Sequence, residues 1–345
     1  MVRKTKDGVC FIAIWVDDSL LVGNKQAIDS VIRELQEEGL TLKIEGSLDD
    51  YLSCEIKIDK EKKRGWIHQP HLIKKLKDKF GPLVNKMQEY VTPGTPGQSI
   101  VRDKDGTGEK ISAEDQKLYR SGVGMLLYLV KHSRPDIANP VRELSKVLDG
   151  ASPAAFKEMK RVIRYVIDTE DWALKIFPKI DEDGIWRIVV FSDSDYATDP
   201  ETRISVSGFV LYVCGVPVSW ASRGQKSVTL SSTEAEYVAL SEAAKEVKFV
   251  YQLMTEIGIE VKLPITIRVD NVGAIFMAEN NAISNRTKHV DTRLKFVNQF
   301  VEDKFVEVIF VKTDQNDADM YTKNLGGALH KKHSNKMIGS KFVGD

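Results

Sequence analysis

The stretch Trp186-Arg-Ile-Val-Val-Phe-Ser192 has β-branched and aromatic side chains at most positions, and Asp193 follows it directly. Such a run predicts a buried β-strand, because these side chains pack well on a pleated surface. Residues 204–213 and 216–222 are two further apolar runs, separated by Cys214-Gly215. A short turn between two such runs is typical of antiparallel strands. The sequence therefore predicts a three-stranded meander with Asp193 at the end of its first strand.

A long helical pattern follows this meander. It begins at Ser231-Ser-Thr-Glu-Ala-Glu-Tyr237 and places Glu234 in the first turn. Its apolar stripe consists of Ala235, Val238, Ala239, Ala243, Val247, Val250, Leu253 and Met254. Two more β-rich runs, residues 264–269 and 306–311, precede Asp270 and Asp319, respectively. Each of these four acidic residues therefore lies where a predicted strand ends or a helix begins.

The four carboxylates of Asp193, Glu234, Asp270 and Asp319 suit a site for Mg²⁺ or Mn²⁺. Two divalent cations held about 3.5–4 Å apart need several hard oxygen ligands, and such pairs activate water in nucleases. Each acid also has a structural interpretation. Ser231 with Glu234, and Thr233 with Glu236, could be helix capping boxes, Asp270 could be a turn residue and Asp319 a solvated side chain. The joint arrangement favours metal-dependent nuclease chemistry on nucleic acid.

Several motifs resemble the ribonuclease H region of copia-type LTR-retrotransposon polyproteins. They are Ser192-Asp-Ser-Asp-Tyr-Ala197, Ser205-Val-Ser-Gly-Phe209, Val218-Ser-Trp-Ala-Ser222, Leu230-Ser-Ser-Thr-Glu-Ala-Glu-Tyr-Val-Ala-Leu240, Asp270-Asn271, Arg286-Thr-Lys-His-Val-Asp291 and Ala318-Asp-Met-Tyr-Thr-Lys323. The run from Leu230 to Leu240 is the most specific. The resemblance implies cleavage of the RNA strand of an RNA–DNA hybrid. It assigns the catalytic and metal-binding roles to Asp193, Glu234, Asp270 and Asp319, with Asp195 and Glu236 as the nearest alternatives.

Upstream, Phe11-Ile-Ala-Ile-Trp-Val-Asp-Asp-Ser-Leu-Leu-Val22 predicts two strands around an Asp-Asp turn and resembles the palm hairpin of a reverse transcriptase. The resemblance makes Asp17 and Asp18 a metal-binding pair, whereas an acidic turn is the plainer interpretation. Residues 25–38 predict an amphipathic helix, residues 49–58 a strand, and residues 66–76 a strand followed by a helix. Tyr119-Arg-Ser-Gly-Val-Gly-Met-Leu-Leu-Tyr-Leu129, Ser133-Arg-Pro-Asp-Ile137 and Lys160-Arg-Val-Ile-Arg-Tyr165 resemble thumb and connection segments of the same family.

The resemblance has one large departure. Polymerases of this type need a further metal-binding Asp on an earlier palm strand and a fingers region, but only sixteen residues precede Asp17. Trp15 also stands where the family usually has Tyr. We therefore expect polymerase activity to require a missing N-terminal portion of the polyprotein as a partner, and the chain to be either a fragment or a decayed or mis-predicted gene product.

Composition is compatible with this interpretation. The 345 residues are 42% hydrophobic, which suffices for two or three packed domains. Cys10, Cys54 and Cys214 are widely spaced, and no run of eighteen apolar residues occurs, so we expect an intracellular protein without membrane contact. The resemblance implies a location in the cytoplasm, within a virus-like particle, and/or in the nucleus. Net charge is zero, which is unusual for a nucleic-acid binder. Between Tyr119 and Tyr165, however, there are nine Lys or Arg and only four acidic residues. These basic residues could contact phosphates or could form the solvated face of helices.

We predict an α/β (α+β multi-domain) chain. Its expected parts are a partial reverse-transcriptase palm (1–90), an exposed linker (91–118), a mainly helical thumb and connection (119–180), a ribonuclease H-like domain with a mixed five-stranded sheet and flanking helices (185–325), and a tail (326–345). The tail, which includes His330 and His333, is expected to be frayed rather than metal-binding. His289 is either a proton shuttle or a histidine at a helix start.

Two rival functions remain open. The chain could be a catalytically silent remnant that still grips a duplex or hybrid. Alternatively, its carboxylates could serve DNA strand transfer or DNA cleavage.

Overall fold

The computed structural model describes residues 1–45, 48, 51–103, 107–280 and 291–340. His289, together with the neighbouring Arg286 and Lys288, lies outside the described residues, so its predicted role stays a prediction.

The N-terminal sheet has three antiparallel strands in the order β1 (Val2–Thr5), β2 (Gly8–Trp15) and β3 (Asp18–Gly23). Helix α1 (Lys25–Glu37) begins at Asn24, whose side chain accepts a hydrogen bond from the Ala27 amide. The helix covers one face of the sheet, where Cys10, Ala27 and Val31 are buried. The predicted hairpin and amphipathic helix are confirmed.

A helical unit follows. It consists of β4 (Glu55–Asp59), β5 (Arg64–His68), α2 (Pro70–Val84), α3 (Ala113–His132), a 3-10 helix (Pro135–Ile137), α4 (Ala138–Ser145), α5 (Pro153–Asp168) and β6 (Trp172–Ile176). The four α-helices bury one apolar core that includes Phe80, Leu126 and Ile163. At the centre of the unit, Arg134 is completely buried and forms a two-point ion pair with Asp136, with Nε–Oδ1 and Nη2–Oδ2 distances of 2.9 and 2.8 Å. Its Nη1 and Nη2 also donate to the backbone oxygen and the hydroxyl of Thr169, at 3.2 and 2.8 Å, so each of the three guanidinium nitrogens has a partner.

The main sheet contains β7 (Ile188–Asp195), β8 (Val206–Val213), β9 (Val216–Gly224), β10 (Ile265–Val269) and β11 (Val306–Phe310). Its order is β11-β10-β7-β8-β9; β7, β8 and β9 are antiparallel, whereas β10 runs parallel to both β7 and β11. Helices α6 (Ser232–Glu256), α7 (Val272–Glu279) and α8 (Asp291–Glu302) accompany the sheet. The buried side of α6, including Tyr237, Leu240 and Val247, shares a core with the sheet. The predicted mixed five-stranded, ribonuclease H-like sheet is confirmed.

The C-terminal part differs from the frayed tail that the sequence predicted. After a 3-10 helix (Thr313–Gln315) and α9 (Asp319–Thr322), the chain forms α10 (Gly327–Ser334) and β12 (Ile338–Ser340). Residues 327–340 are called the strap below. Strand β12 pairs with β6 and completes a four-stranded sheet of order β12-β6-β5-β4. His330 and His333 are both buried in the strap, so the expectation of a frayed tail is wrong for the described residues.

The predicted exposed linker is only partly exposed. Thr92, Pro93 and Gly94 are buried because α5 holds this segment. Arg161 donates to the backbone and side-chain oxygens of Thr92 at 3.2 and 2.9 Å, and the amide of Ile100 donates to buried Glu143 at 2.6 Å. Charged partners on neighbouring helices were not visible in the local Pro-Gly composition that predicted exposure. The predicted domain boundaries themselves stay a prediction.

Candidate metal site

Three carboxylates meet at one edge of the main sheet. One oxygen each of Asp193, Glu236 and Asp270 lies within 4.8 Å of the others. The register explains two of them, because Arg268 on β10 pairs with Phe191 on the parallel strand β7, and two residues further along, Asp270 comes level with Asp193. Parallel strands end at the same sheet edge, so both acids lie on the same side of the molecule. Asp193 and Glu236 are buried and Asp270 is half-buried.

The third carboxylate of the group belongs to Glu236 and not to Glu234, which the resemblance assigned. Glu234 turns back to the helix start, where its Oε2 accepts the Leu230 amide at 2.7 Å, while Ser231 Oγ accepts the Glu234 amide at 3.1 Å. This is the capping interpretation that the sequence also allowed. Glu236 comes two residues later, about 200° around the helix, and therefore faces the opposite side. That side packs on the sheet, so Glu236 rather than Glu234 joins Asp193 and Asp270.

Asp319 lies beside this group. It is buried at the start of α9, and its Oδ1 is 2.6 Å from the Nζ of Lys323. The charges of Asp193 and Asp319 raise the pKa of Lys323 even though burial acts to lower it. Lys323 thus partly compensates the negative charge of Asp193 and Asp319. Among the described residues, no other cationic side chain forms an ion pair with Asp319.

Neighbouring polar groups fix the carboxylates in place. The Thr322 hydroxyl forms a short hydrogen bond with Asp193 Oδ2, and the Ser194 amide donates to Glu236 Oε1 at 3.2 Å. Asn316 donates to the Ser192 carbonyl at 3.0 Å, which joins the segment before Asp319 to the strand that carries Asp193. The side chains are therefore held by α9 and β7 together.

The electrostatics of the group suit a bound cation. Burial and the nearby charge of Asp270 raise the pKa of Glu236 to about 8. Burial, followed by the charge of Glu236, raises the pKa of Asp193 well above its ordinary value. Glu236 Oε2 is buried and has no hydrogen-bond partner among the described residues. A divalent cation would supply the missing partner and offset the mutual repulsion, and carboxylate oxygens are the ligands that Mg²⁺ and Mn²⁺ prefer. The residues present fit such an ion.

Comparisons with known proteins identify the family. No protein-family model matches the chain. The retrovirus-related Pol polyprotein from transposon TNT 1-94 of Nicotiana tabacum is 27% identical over 322 residues, which cover 93% of this chain and 24% of that protein. The Pol polyprotein from transposon RE2 of Arabidopsis thaliana is 34% identical over 223 residues, which cover 65% of this chain and 15% of that protein. The chain spans a quarter or less of the length of these relatives.

The chain belongs to the copia/Ty1-type retrotransposon Pol polyproteins. It covers the end of the reverse-transcriptase region and the ribonuclease H-like region. Among solved structures, LC11 ribonuclease H1, crystallised with an RNA/DNA hybrid, matches 40% of this chain and 94% of its own length at 13% identity, with a TM-score of 0.31. At that score the overlay supports no conclusion; the order and direction of the five strands carry the fold assignment.

The remaining predicted residues of this Pol chain are not members of the group. Asp17 lies in the exposed turn between β2 and β3, and Asp18 is the exposed first residue of β3. In the described part of the chain, no third acidic side chain joins them in a comparable cluster. Asp195 is two residues past Asp193 on β7 and is not a member of the group either.

No helix in the described ranges is long and apolar enough to cross a membrane.

Sequence reasoning missed the roles of Lys323 and Thr322. Both stand inside the quoted Ala318-Asp-Met-Tyr-Thr-Lys323 motif, but they contributed only to the resemblance. The four-residue spacing of Asp319 and Lys323 was an available signal for an ion pair, but Lys323 follows α9 with an extended backbone and is not part of the helix. The contact of Thr322 with Asp193 joins residues 129 positions apart and has no local signal.

Proposed function

We propose that this Pol chain hydrolyses the RNA strand of RNA–DNA hybrids in a reaction that depends on Mg²⁺ or Mn²⁺. The observation that carries the proposal is the group of Asp193, Glu236 and Asp270, whose ligand oxygens lie within 4.8 Å of one another in a ribonuclease H-like sheet. The buried, unpartnered Oε2 of Glu236 supports it further.

The residues of the chain would divide the work. Asp193, Glu236 and Asp270 would hold the metal, and Asp319, next to them, would be a further ligand. A bound divalent ion supplies a nucleophilic water at neutral pH and stabilises the charge that develops on the leaving oxygen. Thr322 and the Ser194 amide would keep Asp193 and Glu236 in position. RNA would be selected through its 2′-hydroxyl groups and the shape of the hybrid.

The test compares cleavage of a labelled RNA–DNA hybrid, an RNA duplex and a DNA duplex in Mg²⁺. We expect the hybrid alone to be cut, and only in its RNA strand. Asp193→Asn and Glu236→Gln should each lower the rate at least about a hundredfold, because a metal contributes several kcal/mol to transition-state stabilisation. Glu234→Gln is the matched control, since it changes a glutamate two residues away to the same amide, and its rate should stay within about twofold.

The outcomes separate the rival functions. Cleavage of the DNA duplex would indicate the DNA nuclease alternative. Hybrid binding that survives Asp193→Asn and Asp270→Asn, without metal-dependent turnover in any variant, would indicate a silent binding remnant. Loss of activity in Glu234→Gln but not in Glu236→Gln would contradict the site proposed here. The predicted polymerase role of Asp17 and Asp18 stays a prediction that requires the N-terminal portion of Pol.

A further inference from the structure

A second buried carboxylate lies two residues before Asp319 and accepts three hydrogen bonds. Asp317 is 1% exposed. Its Oδ1 accepts from His333 Nδ1 at 2.8 Å and from Lys336 Nζ at 2.5 Å, and its Oδ2 accepts from the Tyr212 hydroxyl at 3.1 Å. His333 and Lys336 belong to the strap, whereas Tyr212 belongs to β8 of the main sheet. Asp317 therefore fastens the strap to the sheet at the base of the candidate metal site.

The strap is also fastened to the helical unit at its other side. His330 Nε2 lies 3.2 Å from the backbone oxygen of Asp136, the partner of the buried Arg134. Strand β12 pairs with β6, with Ile338 opposite Leu174. A helix of eight residues followed by a three-residue strand thus spans the distance between the helical unit and the segment that carries Asp319.

Hydrogen bonds and burial restrict the conformation of the segment from 316 to 319. Asn316 donates to Ser192 and also accepts the Ala318 amide at 3.1 Å. Ala318 is completely buried between Asp317 and Asp319. Because fixing both neighbours of a buried residue fixes its backbone, a change in the bonds to Asp317 should move Asp319 relative to Asp193.

We infer that His333 of the strap is a positioning residue for the candidate metal site, acting through Asp317 on the placement of Asp319. The inference rests on the proposed function, because it concerns how the same site is held. Groups that orient metal ligands from outside the ligand set commonly contribute about 10-fold or more to metal affinity. The structure assigns this role to a histidine that the sequence had placed in a frayed tail.

The experiment measures Mn²⁺ binding by electron paramagnetic resonance on the full chain, without substrate. His333→Ala should raise the Mn²⁺ dissociation constant about 10-fold. His333→Asn, whose side-chain amide can donate from nearly the position of Nδ1, should restore most of the affinity. Tyr212→Phe removes one of the three donors at nearly constant volume and should give a smaller shift in the same direction.

His330→Ala is the matched control. It removes the other buried histidine of α10, which bonds Asp136 and not Asp317, so it should lower the thermal midpoint while the Mn²⁺ affinity stays near that of the unchanged protein. Equal loss of affinity in His330→Ala and His333→Ala would overturn the inference, because a general loosening of the strap would then explain both. Unchanged affinity in folded His333→Ala would overturn it as well.

The proposed function is checked separately in the same assay. Asp193→Asn should abolish tight Mn²⁺ binding. If Asp193→Asn loses binding and His333→Ala does not, the positioning role fails and the metal site stands. If the unchanged protein binds no Mn²⁺, or Asp193→Asn binds as well as it does, both proposals fail.

Discussion

At the scale of single residues, the choice between Glu234 and Glu236 shows how much of the candidate site local sequence can predict. Asp193 and Asp270 were predictable because each follows a strongly β-branched run, and the ends of neighbouring parallel strands coincide. Glu234 and Glu236 have equally good local signals, since each can complete a capping box. Only the side of the helix that packs on the sheet separates them, and that is a tertiary property.

The protonation of Glu236 should make the stability of the metal-free protein depend on pH. Its pKa is about 8 in the folded chain against an ordinary 4.5, so between these values the folded state keeps a proton that the unfolded state has lost. The free energy of unfolding, measured with urea in EDTA, should therefore fall as pH rises from 4.5 to 8, by at most about 1.4 kcal/mol per pH unit from this group. Asp193 acts in the same direction.

The pH dependence is tested with the same two substitutions, Glu236→Gln and Glu234→Gln. Glu236→Gln should flatten the slope, because the amide does not titrate, whereas Glu234→Gln should leave it unchanged. A slope that is the same in all three proteins would show that Glu236 is not held protonated by its surroundings.

Thr322→Val should weaken the site without unfolding it. Valine keeps the branched shape but cannot donate to Asp193 Oδ2, so we expect the Mg²⁺ concentration for half-maximal cleavage to rise about 10-fold. The cost in stability should be about 1 kcal/mol. Thr266→Val is the matched control, because it removes an exposed bond from β10 to Glu307 on the edge strand β11 of the same sheet. An equal effect of both substitutions on the Mg²⁺ requirement would contradict the role of Thr322.

At the scale of elements, α9 and β8 pack so closely that a glycine is required between them. Gly208 is the cross-strand partner of Asp193. A Cβ atom there would lie 2.8 Å from Tyr321 Cβ and from Thr322 Cγ2, and 3.1 Å from the Ala318 backbone oxygen. Since one of these atoms is backbone, α9 itself would have to move, and Asp319 and Lys323 would move with it.

Gly208→Ala should therefore lower both stability and metal affinity. We expect a loss of about 1–3 kcal/mol in the free energy of unfolding, as for other overpacked sites, together with weaker Mn²⁺ binding. Gly124→Ala on α3 is the control, because its Cβ would meet no atom within 4 Å and helix propensity favours alanine by about 0.8–1 kcal/mol. Chemical denaturation and Mn²⁺ titration measure both. Unaltered Mn²⁺ binding in Gly208→Ala would show that α9 adjusts without displacing the site.

Most elements were predictable because they carry a regular period. The meander, α1 and α6 begin and end within a few residues of their predicted positions. The strap was not predictable: β12 has three residues, too few to show alternation, and β6 was assigned to a helical region. Within the described residues, strand β12 pairs only with β6, and β6 also pairs with β5; such long-range pairing leaves little trace in local composition.

At the scale of the whole molecule, one apolar core joins parts of the chain that were predicted as separate domains. Ala138 and Leu174 come from the helical unit, Val210 from the main sheet, and Met337 and Ile338 from the strap. Trp220 on β9 also donates from Nε1 to the Val130 carbonyl at 2.8 Å. Apolar side chains of all three parts are therefore removed from water in the same step when this core forms.

Ile338→Ala should destabilise the whole molecule and not only the local pairing of β12. Ile338 is completely buried, so we expect a loss of about 2–5 kcal/mol in the free energy of unfolding. Unfolding in urea, followed by tryptophan fluorescence and by far-ultraviolet circular dichroism, should remain a single coincident transition. Val218→Ala, at a side chain that is 46% exposed, should change stability by no more than about 0.5 kcal/mol. Two separate transitions in the unchanged protein would contradict a shared core.

The pairing of Leu174 with Ile338 also bears on how the protein is made. During synthesis, β6 leaves the ribosome long before β12 exists, and until then one edge of its sheet has unpaired amide and carbonyl groups. Exposed edges of this kind recruit other strands, so the nascent chain is at risk of aggregation throughout that interval. Slower translation of the second half should lower the soluble yield, and a chaperone that shields strand edges should restore it.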